Sequence, residues 1–104
     1  MLSPDLRLRL IDQATERLGH DLSQASLCLF VRHLRRTDLN HEQWHRCSDL
    51  ATSGACSHHR ARAAAAELVN AGLLERQYAR RFPGAKRTHT AYRLLLPDRE
   101  GAAL

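Results

Sequence analysis

Aromatic side chains are scarce in this sequence: Phe30, Trp44, Tyr78, Phe82 and Tyr92 are the whole set. Proteins that bind single strands or RNA expose stacking rings on a sheet. Tyr78 and Tyr92 are expected instead to pack a hairpin onto helices, which leaves little ring surface for that purpose. Cysteine is limited to three residues, an odd number without a secretory signal. That excludes a disulfide framework and points to a reducing interior. Long apolar runs are missing as well. Nothing approaches the roughly 18 apolar residues of a membrane span, so no membrane partner is expected. The first twenty residues hold Asp5, Arg7, Arg9 and Asp12, which leaves no apolar signal core and makes the cytoplasm the expected compartment. Internal repeats, low-complexity stretches and linkers are absent.

What is present is charge, unevenly placed. The chain has 104 residues, the size of one domain with one modest core, and a formal net charge of +5. Residues 1–52 are balanced at seven arginines and seven acids. Residues 53–96 carry seven arginines and Lys86 against Glu67 and Glu75, a net +6, and residues 97–104 are net −1. A polyanion is the natural partner of the basic half. The plain alternative is a solvated basic surface.

Ser3-Pro4-Asp5 reads as a helix start: a capping hydroxyl, proline at the first position, then an acid. Leu6, Leu10, Ile11, Ala14 and Leu18 follow as an apolar stripe, and Gly19 ends it. A second helix is expected from about Asp21 or Ser23 to Arg36, with Leu27, Phe30, Val31 and Leu34 inward and Cys28 and Leu29 widening that face. A third is expected from Asn40, with Asn40 and Gln43 as a capping box and Leu39 stapled to Trp44; Trp44, Cys47, Leu50 and Ala51 then face inward. Past a fourth helix, Leu73 to Arg81 and Thr88 to Leu96 alternate as strands around the turn Phe82-Pro83-Gly84-Ala85-Lys86-Arg87.

The most informative stretch is Leu50 to Leu74. Ala61, Ala64, Ala65 and Leu68 recur at the helical period, while His58, His59, Arg60 and Arg62 lie mostly off that stripe. Ser57 can cap the start and Gly72 can stop the end. A helix with a small-residue inner face and a basic outer face near its N-terminus suits the major groove of DNA. The stretch resembles winged helix-turn-helix regulators of the MarR type: Leu50-Ala51 near a helix end, a turn over Thr52 to Cys56, a recognition helix Ser57 to Ala71, and the closing phrase Leu68-Val-Asn-Ala-Gly-Leu73. One departure is visible, since Gly54 sits one place earlier than the family's turn glycine. The resemblance covers about two-thirds of the chain.

It implies a mainly α fold with a small β-hairpin (α+β): about four helices, then a two-stranded wing. The single domain, 1–104, would comprise an N-terminal helix over 1–19 that serves dimerisation, a winged core over 20–96 and a flexible tail over 97–104. On this reading the chain binds double-stranded DNA as a transcriptional repressor and is not an enzyme. Arg60 and Arg62 meet base edges, and Ser57, His58 and His59 meet phosphates or flanking bases. Asn40, His41 and Gln43 hold the backbone, and Arg80, Arg81, Lys86 and Arg87 place the wing. A homodimer through the first helix is expected, because one winged helix reads few base pairs. No cofactor and no metal are expected. The alternatives are a DNA-binding part of plasmid or phage replication, partition or transfer, and a winged helix that binds protein.

Two rival signals concern metal. His41-Glu42-Gln43-Trp44-His45 matches H-E-x-x-H, which on a helix can hold zinc with the glutamate as general base. The extended form would need glycine at 48 and histidine at 51, where Ser48 and Ala51 stand, and Glu67 has no support as a third ligand. Cys47, Cys56, His58 and His59 could form a regulatory metal site, but both cysteines, and Cys28, also read as small core hydrophobes.

Overall fold

The computed structural model describes residues 2–37 and 41–96. In order they form α1 (Pro4–Arg17), α2 (Gln24–Arg36), β1 (His45–Arg46), α3 (Cys47–Gly54), α4 (His58–Asn70), β2 (Leu74–Arg81) and β3 (Thr88–Leu94). Helices and a small antiparallel sheet, ordered β1-β3-β2, share one core. Among the described residues no helix is long and apolar enough to cross a membrane.

Three helices begin on serine hydroxyls. Ser3, Ser23 and Ser57 accept from the backbone N–H groups of Leu6, Ser26 and Arg60 at 3.1, 3.2 and 3.1 Å. At the head of α2, Glu67 of α4 also accepts from the Ser23 N–H at 2.7 Å, putting a carboxylate at the positive end of the helix. Glu67 is therefore a clasp between α4 and α2.

The apolar stripe of α1 turns into its own chain. Leu10 is 0 % exposed, Ala14 is buried beside it in the core, and Leu6 and Ile11 pack against that core. Leu8, at 59 %, and Leu18 are left outside. Leu18 lies beyond the helix end, so the predicted stripe is shorter by one residue. The feature that recommended this helix as a dimer interface is thus used to close the domain. Cys28 is exposed and not a core residue; Leu29 and Phe30 are the buried members of that run.

The third helix starts later than expected, at Cys47. Asn40 and Leu39 lie outside the described residues, so the predicted capping box and staple are not described; His41 to Gln43 form a turn, and α3 begins only at Cys47. Its start is fixed by the Arg46 N–H donating to Asp49 Oδ2 at 2.9 Å. Ahead of it, His45 pairs with Tyr92 and Arg46 with Ala91, adding a third strand to the expected two. Trp44 is half-buried against arginines: Arg93 and Arg80 lie over its ring at 4.4 and 5.2 Å.

The turn between α3 and α4 explains the early glycine. The left-handed residue is Ala55 (φ 52, ψ 46), not Gly54. A Cβ on Gly54 would lie 2.9 Å from Leu29 Cδ1, so this glycine serves the close approach of α3 to α2. A left-handed L-residue costs roughly 1–2 kcal/mol, part of which glycine returns through the greater entropy of its unfolded chain. Ala55→Gly should therefore raise stability by about 1 kcal/mol in urea unfolding, whereas Gly54→Ala should lower it by roughly 1–3 kcal/mol through overpacking of Leu29. Equal effects at the two positions would contradict this assignment.

Candidate nucleic-acid interface

The helix α4 follows the predicted course. Ala61, Ala64, Ala65 and Leu68 are buried, and Ser57, His58, His59, Arg60 and Arg62 are exposed. The chain leaves through Gly72 at φ +78, and the Leu73 N–H donates back to the Leu68 carbonyl at 2.9 Å. Alanine on the inner face lets α4 sit close to the core, so the long side chains of its first turns stand clear of the surface.

Those side chains do not all leave together. Two positions on a helix differ by about 200°, so Arg60 and Arg62 depart from opposite flanks with His59 and Ala63 between them. Arg62 and His58 face the sheet. With Arg46 and Ser48 at the start of α3, and Arg76, Tyr78, His89 and Thr90 of the hairpin, they line a cavity of about 520 Å³. Arg60 is not part of it.

The hairpin is built by the register Arg76 opposite Tyr92 and Leu74 opposite Leu94, which seats Leu74, Tyr92 and Leu94 in the core. Between Gln77 and Arg80 the register shifts at a bulge, with Ala79 left-handed at φ 57. Tyr78 is lifted out there, 67 % exposed with Arg76 over its ring at 5.0 Å. Only Tyr92 of the two tyrosines packs the hairpin onto the helices. At the tip, Pro83 and Gly84 make a turn closed by the Ala85 N–H to Phe82 carbonyl bond at 3.0 Å, with Gly84 at φ +77 where only glycine sits cheaply. Arg81, Lys86 and Arg87 are exposed around this tip. Arg80 is half-buried, donating to Gln77 Oε1 at 2.9 Å and lying over Trp44, so it braces the hairpin.

Of the remaining predicted contacts, Gln43 lies beside the hairpin turn in a second cavity of about 530 Å³, near His33, His45, Asp49 and Phe82. His41 and Gln43 belong to a turn and not to a helix start, and Asn40 lies outside the described residues.

The H-E-x-x-H match loses its geometry, because His41 is in a turn and His45 in a strand, so they share no helical face. His45 is turned inward, 3.2 Å from Thr37 Oγ1 and edge-on to His33 at 4.9 Å. His33 is buried, with Nδ1 3.1 Å from Ser53 Oγ. The single Ser53 hydroxyl proton goes to the Asp49 carbonyl at 3.1 Å, so Ser53 Oγ accepts from both Arg36, at 3.3 Å, and His33. This assigns neutral His33 its proton on Nδ1. Cys47 donates weakly to the His58 carbonyl at 3.7 Å, and burial pushes its thiol pKa up. Both Cys47 and Cys56 pack against the core, as their reading as small hydrophobes expects. Among the described residues no three metal-ligating side chains gather.

No family model, curated protein or solved structure matches the chain.

Arg46, Arg76 and His89 were not singled out from the sequence. For Arg76 and His89 the signal was there, in the alternation of the strands. For Arg46 it was not, because a two-residue strand has no periodicity to read.

Proposed function

We propose that this chain is a winged helix-turn-helix protein that binds duplex DNA and acts as a transcriptional repressor. The observation that carries the proposal is the exposed basic start of α4, which shares a cavity with Arg46 of β1 and Arg76 of the hairpin while its alanine face is held in the core. A short turn between α3 and α4, and a hairpin directly after α4, are the parts that such a fold requires. In this reading Arg62 and His58 enter the major groove on the hairpin side and Arg60 on the other. His59 lies between them, and Ser57 meets a phosphate at the helix start. Arg81, Lys86 and Arg87 bring the wing tip to the backbone or the minor groove, and Gln43 and His41 stand nearby. A homodimer through the first helix would have to form over Leu8 of α1 and Leu18 just past its end, because Leu10 and Ala14 are taken by the core.

The test begins with selection of a bound site from random duplexes. Arg60→Ala and Arg62→Ala should then each cost roughly 1–3 kcal/mol on the selected site and less on a scrambled duplex. Equal losses on both would reduce the two arginines to phosphate neutralisers. Absence of salt-sensitive duplex binding by the wild type would overturn the proposal and favour a protein-binding winged helix.

A further inference from the structure

The cavity between α3, α4 and the hairpin has a charge pattern that packing does not explain. Arg46, Arg62, Arg76, His58 and His89 line it, and no acidic side chain does. Two arginines elsewhere in the fold have carboxylate partners: Arg93 bonds Glu75 at 2.5 Å, and Arg17 bonds Asp21. Among the described residues none of the three cavity arginines forms an ion pair. Three guanidinium groups around one space repel each other, a cost that water reduces at the exposed Arg46 and Arg62. Arg76 is held over a ring of the cavity, Tyr78, at 5.0 Å, and Arg46, which lines both cavities, lies over Phe82 of the neighbouring one at 5.5 Å. A planar fork fixed on a ring is set up for bidentate bonding to a tetrahedral oxyanion. The volume, about 520 Å³, lies in the range of small-ligand sites. Burial pushes the pKa of the Cys47 thiol on the wall up, away from the charged form.

We propose that this cavity is a phosphoryl-binding site, in which Arg46, Arg62 and Arg76 together hold one anionic phosphate group. The group can come from a free phosphate-bearing small molecule or from a backbone phosphate of duplex DNA; the second source rests on the proposed duplex binding and puts Arg62 on a phosphate in place of a base edge, and the first source rests on neither. Because Arg62 belongs to both the cavity and the outer face of α4, a free ligand bound here withdraws Arg62 from a duplex.

Isothermal titration of pyrophosphate into the full chain at low salt tests the first source. One site per chain is expected, weakened about tenfold by Arg76→Ala and by Arg62→Ala. Arg35→Ala, which removes the same charge from an exposed position on α2, should leave it unchanged. Arg76→Lys keeps the charge without the fork and should recover only part of the affinity. Where pyrophosphate does not bind, duplex titrations against salt decide: Arg76→Ala should lower the slope by about one and Arg35→Ala should not. If Arg35→Ala matches Arg76→Ala in both measurements, or neither variant changes either, the site does not exist. Pyrophosphate binding without duplex binding would retain the site and sink the DNA reading. Duplex binding indifferent to Arg76→Ala, with no pyrophosphate bound, would do the reverse.

Discussion

Leu10→Asp is expected to unfold the protein. Leu10 is fully enclosed, in one cluster with Phe30, Leu34, Leu68 and Leu2. The substitution removes a buried isobutyl group and introduces a carboxylate with no water around it. Together these cost about 4 kcal/mol or more, a large share of the roughly 5–15 kcal/mol that holds a domain of this size together. Circular dichroism and urea titration would show it directly. Leu8→Asp, two residues earlier on the exposed side, should change stability by no more than about 0.5 kcal/mol. It also places a charge on the apolar surface that α1 still offers to a second copy. A folded Leu10→Asp variant with half the wild-type mass in light scattering would show that α1 is an interface after all. A smaller mass for Leu8→Asp alone would place the interface on the outer side of the helix.

Acid is the second large effect. Burial, with the neighbouring His45 and Arg36 adding to it, lowers the pKa of His33 from 6.5 to about 4; Asp49 opposes the shift. The unfolded chain therefore takes up a proton on this ring at a higher pH than the folded protein does. Its contribution is complete above about pH 6.5 and is lost progressively as pH falls toward 4, roughly 3 kcal/mol in all. The half-buried His45 is shifted down as well, chiefly by burial, and adds in the same direction. Urea midpoints should fall steeply between about pH 7 and pH 4.5 in the wild type. His33→Gln, which can still donate to Ser53, should have the flatter profile. A wild-type midpoint that does not move over this interval would mean that His33 is free to charge in the folded state.

How much of this was legible in advance depended on how local the cause was. The serine caps at Ser3 and Ser57, the alanine face of α4, its stop at Gly72 and the hairpin with its Pro-Gly turn are set by residues within a few positions of each other. All were readable. The start of α3 was not. His45 and Arg46 become a strand because β3, more than forty residues away, offers them Tyr92 and Ala91 to pair with. No local pattern announces that, and Gln43, expected in the first turn of a helix, lies in a turn ahead of the strand. The exposed Tyr78 was misread for a related reason, since alternation along a strand carries no mark of a bulge. Within the candidate site the exposed basic residues of α4 and the wing tip could be named, but not the arginines of other elements that meet Arg62 across the cavity. The left-handed Ala55 also ran against expectation, because the glycine beside it answers to Leu29 on another helix.

The bulge at Tyr78 and Ala79 has a consequence for how copies of this protein meet. In the order β1-β3-β2, the strand β2 is an outer edge, with backbone groups facing away from its one partner. Such an edge is a template on which another chain can extend the sheet. Here the kink interrupts the flat run between Gln77 and Arg80, and Arg76, Arg80 and Arg81 set like charges along it. The opposite edge, β1, is two residues long and has little to offer. Growth of the sheet from molecule to molecule is thereby discouraged at both ends. A concentrated solution of this basic protein should stay free of fibrillar assemblies for reasons written into its backbone as well as its charge.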